Sequence, residues 1–153
     1  LLVITDAILN RVTENWKHGR RTHVYLDEFH VVYDNPYSSM FFNSAWRRFR
    51  KRNAFPTGIT QNVEYLLDNS AARSILSNSE FVVMHNQAAS DREKLAELFN
   101  ISEDQMKYIT NAEAGHGLMK IGNALVPFVN RFPKNTELYR NMTTKPGETE
   151  MWG

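Results

Sequence analysis

The stretch that most constrains this chain is Arg20-Arg21-Thr22-His23-Val24-Tyr25-Leu26-Asp27-Glu28-Phe29-His30. Gly19 breaks the chain just before it, and the β-branched and aromatic run from Thr22 to Leu26 predicts a short strand. Two adjacent carboxylates follow at its end. An apolar strand running into Asp-Glu is the pattern of a Walker B motif. The buried strand fixes the backbone, and the acids emerge at the carboxyl end, where open α/β sheets bind ligands. In that pattern Asp27 holds a hydrated Mg²⁺, and Glu28 orients or polarises the attacking water. The plainer reading is a strand followed by a solvated acidic turn.

The rest of the composition narrows the class. A chain of 153 residues with 42% hydrophobic residues is long and apolar enough for a folded domain with a core. The absence of cysteine excludes disulfides and thiolate metal sites. A formal net charge of +1 means that any basic surface must be local. No apolar run approaches the roughly 20 residues of a membrane span, and no secretory signal pattern is visible. The sequence opens on Leu1 without Met and reads as helix at once, so a piece of a longer protein is expected.

Periodicity predicts an amphipathic helix from Leu1 to Lys17, with Ile4, Ile8, Val12 and Trp16 on one row. Cations crowd its C-terminal end, and Gly19 fits the C-cap. Asp34-Asn35-Pro36 marks a turn before a second helix, Tyr37 to Arg52. There Phe41, Ala45 and Phe49 form one ridge and Phe42 and Trp46 the next, followed by the basic cluster Arg47, Arg48, Arg50, Lys51 and Arg52. Pro56 to Thr60 reads as a short strand ending in Gln61-Asn62. A turn or short helix over Val63 to Leu67 and a helix capped by Asn69 or Ser70 follow it. Glu80 to His85 is the next strand, and its continuous apolar heart argues burial on both faces, as in a parallel sheet. Ser90 with Glu93, and Ser102 with Gln105, read as capping boxes of two further helices. Gly122-Asn123 is the two-residue signal of a hairpin between Leu118–Ile121 and Ala124–Val129. Thr136 to Met142 reads as a last helical turn and 143–153 as a loose tail, leaving residues 1–142 as the folded part. The alternation of strands and helices predicts an α/β fold with a mainly parallel sheet and a terminal β-hairpin.

Two decoys can be set aside. Gly117 to Gly122 has P-loop glycine spacing, but Asn123-Ala124 stand where Lys and Ser/Thr must be. His23, His30, His85 and His116 lack a metal-ligand spacing. Thr60-Gln61 carries more. A short strand ending in an amide, one βαβ step after the acids, is where RecA-like NTPases place a γ-phosphate sensor.

Several segments fall in a telling order: Tyr25-Leu26-Asp27-Glu28-Phe29, Phe49-Arg50-Lys51, Thr57-Gly58-Ile59-Thr60-Gln61-Asn62 and Ile75-Leu76-Ser77-Asn78-Ser79. They are followed by Asn86-Gln87-Ala88, Asp91-Arg92-Glu93 and Gly117-Leu118. With these the chain resembles, over nearly its whole length, the C-terminal part of a VirB-four-type (TraE-like) conjugation ATPase of integrative conjugative elements.

The resemblance implies part of a RecA-like P-loop NTPase, a three-layer α/β/α domain of the HerA/FtsK kind. It implies ATP and Mg²⁺ as cofactors of the parent protein, and an ATPase at the cytoplasmic base of a type IV secretion channel that powers DNA-protein transfer or assembly. Self-association as a hexamer, contact with other secretion components, contact with DNA and a place at the inner face of the cell membrane follow from it. By position, Asp27 and Glu28 are the Walker B pair, Gln61 is the sensor, and Arg50 or Arg47 falls where relatives place an Arg that reaches a neighbouring subunit's nucleotide. Two departures stand out. No Gly-x-x-x-x-Gly-Lys-Ser/Thr occurs in the chain, so the P-loop is expected upstream of Leu1, with no tight nucleotide binding and no ATPase activity in this segment alone. Many relatives carry Arg where this chain has Asn86. The rival reading is a non-catalytic nucleic-acid or partner-binding module centred on Arg47 to Arg52.

Overall fold

The computed structural model describes residues 2–61 and 63–143; the predicted tail beyond Thr143 lies outside them. The chain divides into two compact units, residues 1–79 and 80–153.

The first unit opens with α1 (Leu2–Lys17) and β1 (Thr22–Leu26), the strand the sequence predicts. The buried stripe of α1 is Thr5, Leu9 and Val12, whereas Ile4 is 64% and Trp16 49% exposed. The predicted row therefore needs correction. A strict i, i+4 row precesses by about 40° per step around a helix with 3.6 residues per turn, so its two ends leave the buried face. Gly19 takes a positive φ of 69° at the helix end, and Arg20 N–H returns to Asn15 O.

A 3-10 turn, Phe29–Tyr33, leads from β1 to α2 (Pro36–Lys51). Asn35 Oδ1 caps α2 by accepting from the amides of Tyr37 and Ser38, and Pro36 occupies the first helical position. Phe42, Ala45 and Phe49 are its buried ridge. The next strand, β2 (Ala54–Gly58), starts and ends two residues earlier than the expected Pro56 to Thr60, so Thr60 and Gln61 follow the strand and do not end it. It pairs parallel with β1, with Thr22 opposite Ala54 and Leu26 opposite Gly58. Ile59 N–H donates to Leu26 O. By the two-residue alternation of a strand, the missing N–H of Pro56 then lies on the outer edge, where it costs no ladder bond.

Leu9, Val12, Val24, Ala45, Phe49 and Ala54 form one core cluster, and Phe29, Val32, Tyr33, Phe42, Leu66 and Ala72 a second. The short helices α3 (Val63–Asp68) and α4 (Ser70–Ser77) close the unit, with the Asn69 side chain capping α4.

In the second unit β3 (Phe81–Met84) is followed by α5 (Ala89–Phe99) and α6 (Glu103–Met106). The hairpin β4 (His116–Ile121) and β5 (Ala124–Val129) and the short α7 (Glu137–Met142) complete it. The hairpin turns through Gly122, φ 56°, as predicted.

Two expectations fail here. β3 is not a doubly buried parallel strand: it pairs antiparallel with β4, Met84 opposite Leu118, and Phe81 and Val83 are 64% and 51% exposed. A run of four apolar residues reads alike for a strand covered on one face or on two, so periodicity could not decide. Ser90 does not cap α5. Arg92 N–H already closes the first turn on Ala88 O, so Ser90 is helical and Ala88 is the N-cap. The capping box of Ser102 and Gln105 forms as expected.

Candidate functional site

The parallel ladder sets the site. Because Leu26 faces Gly58, the residues that follow the two strands leave the same edge side by side. Two backbone bonds of 2.8 Å lock them beyond the strands: Ile59 N–H to Leu26 O, and Phe29 N–H to Ile59 O. Asp27-Glu28 and Thr60-Gln61, more than thirty residues apart in sequence, thus share one carboxyl edge. Asp27, Glu28 and Gln61 are all exposed there.

Glu28 adopts the left-handed conformation, φ 49° and ψ 46°, where the chain turns from β1 into the 3-10 segment. Such a conformation is uncommon for a residue with a Cβ and persists only when its surroundings hold it. Here Phe29 does so, buried in the core and bonded to Ile59. Glu28 N–H donates to Asp27 Oδ1 at 3.0 Å. The other Asp27 oxygen remains available for a cation. Among the described residues no group of three or more His, Cys, Asp or Glu could hold a metal ion. One carboxylate still fits a hydrated Mg²⁺ that takes its other ligands from water and phosphate.

His30, which the sequence reading weighed only as a metal ligand, completes the edge. Its Nδ1 is hydrogen-bonded to Thr60 Oγ1 at 3.0 Å and lies 3.4 Å from Glu28 Oε2. Its ring meets Tyr65 edge-on, with centroids 6.1 Å apart. The Tyr65 hydroxyl bonds to Asp34, and that bond to a carboxylate raises the phenol above its ordinary pKa. No motif in the sequence marks His30; only the parallel pairing brings it to Thr60.

Arg47 and Arg50 are not brought to these groups. The helix α2 starts near the carboxyl edge and runs back for 16 residues, about 24 Å at 1.5 Å per residue, to the edge where β1 and β2 begin. Arg52 there donates to Thr13 Oγ1 of α1. Arg47 Nε donates to Asn43 O within its own helix, and both Arg47 and Arg50 are exposed. The same edge gathers Lys17, Arg20 and Arg21 from the end of α1. Asp27, Glu28 and Gln61 therefore share the carboxyl edge. Arg50 lies in the last turn of α2, and Arg47 directly follows Trp46, whose ring packs on Phe29.

Comparison with protein-family models finds no match, and comparison with curated proteins finds none either. Among solved structures the chain is similar to VirB4 of Thermoanaerobacter pseudethanolicus, with 26% sequence identity and a TM-score of 0.67. The likeness covers 74% of this chain and 32% of that one, so the chain spans about a third of its neighbour. The VirB-four-type resemblance read from the ordered segments is thus borne out by a solved structure. No helix among the described residues is long and apolar enough to cross a membrane.

Proposed function

We propose that this chain is the C-terminal part of a type IV secretion motor ATPase, carrying the hydrolysis half of the nucleotide site. The juxtaposition of Asp27-Glu28 with Thr60-Gln61 at one sheet edge supports this reading, together with the likeness to VirB4. Residues 1–142 would then belong to a RecA-like three-layer α/β/α domain whose P-loop comes from upstream in the parent chain.

Bound ATP supplies the phosphoanhydride, and its Mg²⁺ neutralises charge on the phosphates. Asp27 would hold the hydrated cation. Glu28 accepts a hydrogen bond from the attacking water and polarises it. The Gln61 amide donates toward phosphate and accepts from the same water, which aligns it. In the parent, hydrolysis would power DNA-protein transfer or channel assembly from a ring, a hexamer, at the inner face of the membrane.

The test is Glu28→Gln in the full-length parent. The amide keeps the size but not the charge, so turnover should fall by roughly a hundredfold while ATP binding stays nearly intact. Turnover within about threefold of the parent would exclude Glu28 as the base. The 153-residue chain alone should hydrolyse ATP at background, because it contains no phosphate-cradling loop.

One observation favours a second reading, a polyanion-binding module centred on Arg47 to Arg52: the end of this basic run, Arg50 to Arg52, lies with Lys17, Arg20 and Arg21 near the amino edge. That reading predicts DNA binding by the 153-residue chain that weakens steeply with salt. Binding too weak to measure at low salt would remove it.

A further inference from the structure

We infer that His30 is a positioning residue that ties Glu28 to the segment after β2 that carries Gln61, so that acid and amide act as one unit; this rests on the reading of Glu28 as the base. The geometry is specific. A single ring nitrogen, His30 Nδ1, stands 3.0 Å from Thr60 Oγ1 and 3.4 Å from Glu28 Oε2. The His30 side chain is only 20% exposed, against 49% for Glu28, so the ring is the more enclosed of the two partners.

The chemistry selects a tautomer. An ionised carboxylate only accepts, whereas a threonine hydroxyl donates and accepts. With the proton on Nδ1, the ring donates to Thr60 and presents positive charge density to the flanking Glu28. With a bare Nδ1, Thr60 could still donate, but the nitrogen lone pair would face the carboxylate. The Nδ1–H form is therefore the one compatible with both neighbours. It is also the minor tautomer of a free imidazole, so its presence is diagnostic.

The consequence follows from the chain path. Thr60 immediately precedes Gln61, and Glu28 sits on a strained left-handed turn that by itself leaves the carboxylate free to swing. The His30 ring, held edge-on by Tyr65, sets the separation between the acid and the segment that carries the amide. A water aligned by both groups needs that separation to be constant.

Two variants divide the ring's roles. His30→Phe keeps a ring against Tyr65 without a donor, and His30→Asn keeps an N–H near the place of Nδ1. In the full-length parent, His30→Phe should lower kcat by roughly tenfold with KM for ATP unchanged, the size of effect seen for supporting partners of site residues. His30→Asn should restore most of it. In a Glu28→Gln background, His30→Phe should change nothing more. Imidazole ¹⁵N shifts of the 153-residue chain, measured at a pH where His30 is neutral, should show the proton on Nδ1. A fully active His30→Phe beside an inactive Glu28→Gln, or a loss that Asn does not rescue, overturns the inference alone. Turnover retained in Glu28→Gln overturns the base assignment and the inference with it. If His30→Phe fails to fold, the nitrogen shifts decide, and an Nε2–H tautomer overturns the link.

Discussion

Gly58 lies directly against the ring of Phe29: a Cβ on Gly58 would stand 2.8 Å from Cγ and from Cδ1 of that ring. Phe29 is 5% exposed and cannot step aside without disturbing the packing of Tyr33, Phe42 and Trp46 around it. Gly58→Ala should therefore destabilise the first unit by about 1–3 kcal/mol, the usual cost of overpacking a filled core. Urea unfolding of the 153-residue chain measures it, and an unchanged midpoint would show that the ring yields freely. Phe29 follows Glu28 directly, so the same variant should shift the Glu28 and His30 resonances.

Tyr33 is buried in the same cluster, and its hydroxyl has no hydrogen-bond partner. Burial pushes its pKa up to about 12, from an ordinary value of 10.0. Since the folded state holds the proton more tightly than the unfolded one, stability is unaffected below pH 10 and falls as the pH rises from 10 to 12. Tyr33→Phe removes both the orphaned hydroxyl and this titration. Near neutral pH it should be neutral or stabilising by about 1 kcal/mol, and its alkaline loss of stability should be shallower. Chemical denaturation at pH 7 and above pH 10 checks both statements, and a clear destabilisation at pH 7 contradicts them.

Asn86 has a structural task. Its amide donates to Ala112 O at 2.7 Å, and its Oδ1 accepts Ala112 N–H at 2.6 Å, joining positions 26 apart in the chain. Asn86→Ala should cost about 1 kcal/mol. It should also speed hydrogen exchange at the Ala112 amide more than elsewhere in the second unit. Unchanged exchange there would mean the clamp does not hold the loop. Asn86→Arg should cost at least as much, because the guanidinium has no acceptor with which to receive the Ala112 N–H.

Arg50 lies in the last turn of α2, and the carboxylates of Asp27 and Glu28 in this chain meet Glu28 N–H and His30 respectively. A role for Arg50 at a neighbouring subunit's nucleotide is tested by mixing. Arg50→Ala and Glu28→Gln versions of the full-length parent should each be inactive alone. Mixed together they should regain part of the activity, because some sites then combine an intact Glu28 with an intact Arg50. A trans arginine is worth about a thousandfold or more in turnover, so the regain is measurable. Arg47→Ala, treated in the same way, distinguishes the two arginines. Mixed rings that form yet stay inactive would mean that neither acts across the interface.

The sequence alone determined the local features. The strand Thr22–Leu26, the turn at Asp34-Asn35-Pro36, the caps at Asn69 and Ser102 and the Gly122-Asn123 hairpin are each written in a few neighbouring residues, because propensity, capping and turn chemistry act over a turn or less. The Asp27-Glu28 pair was legible for the same reason, as a strand with its ending. Pairing was not. Whether Phe81–Met84 joins a parallel or an antiparallel neighbour depends on what the chain brings alongside it. The buried stripe of α1 likewise depends on the face that meets β1 and α2. The union of Glu28, His30 and Thr60 is of this second kind. It exists only because β1 and β2 lie parallel and in register, with Leu26 opposite Gly58, and no spacing along the chain encodes that alignment. The remoteness of Arg50 has the same origin: the helix between two parallel strands must run back along them, so whatever it carries at its C-terminal end lies far from the edge where the strands end.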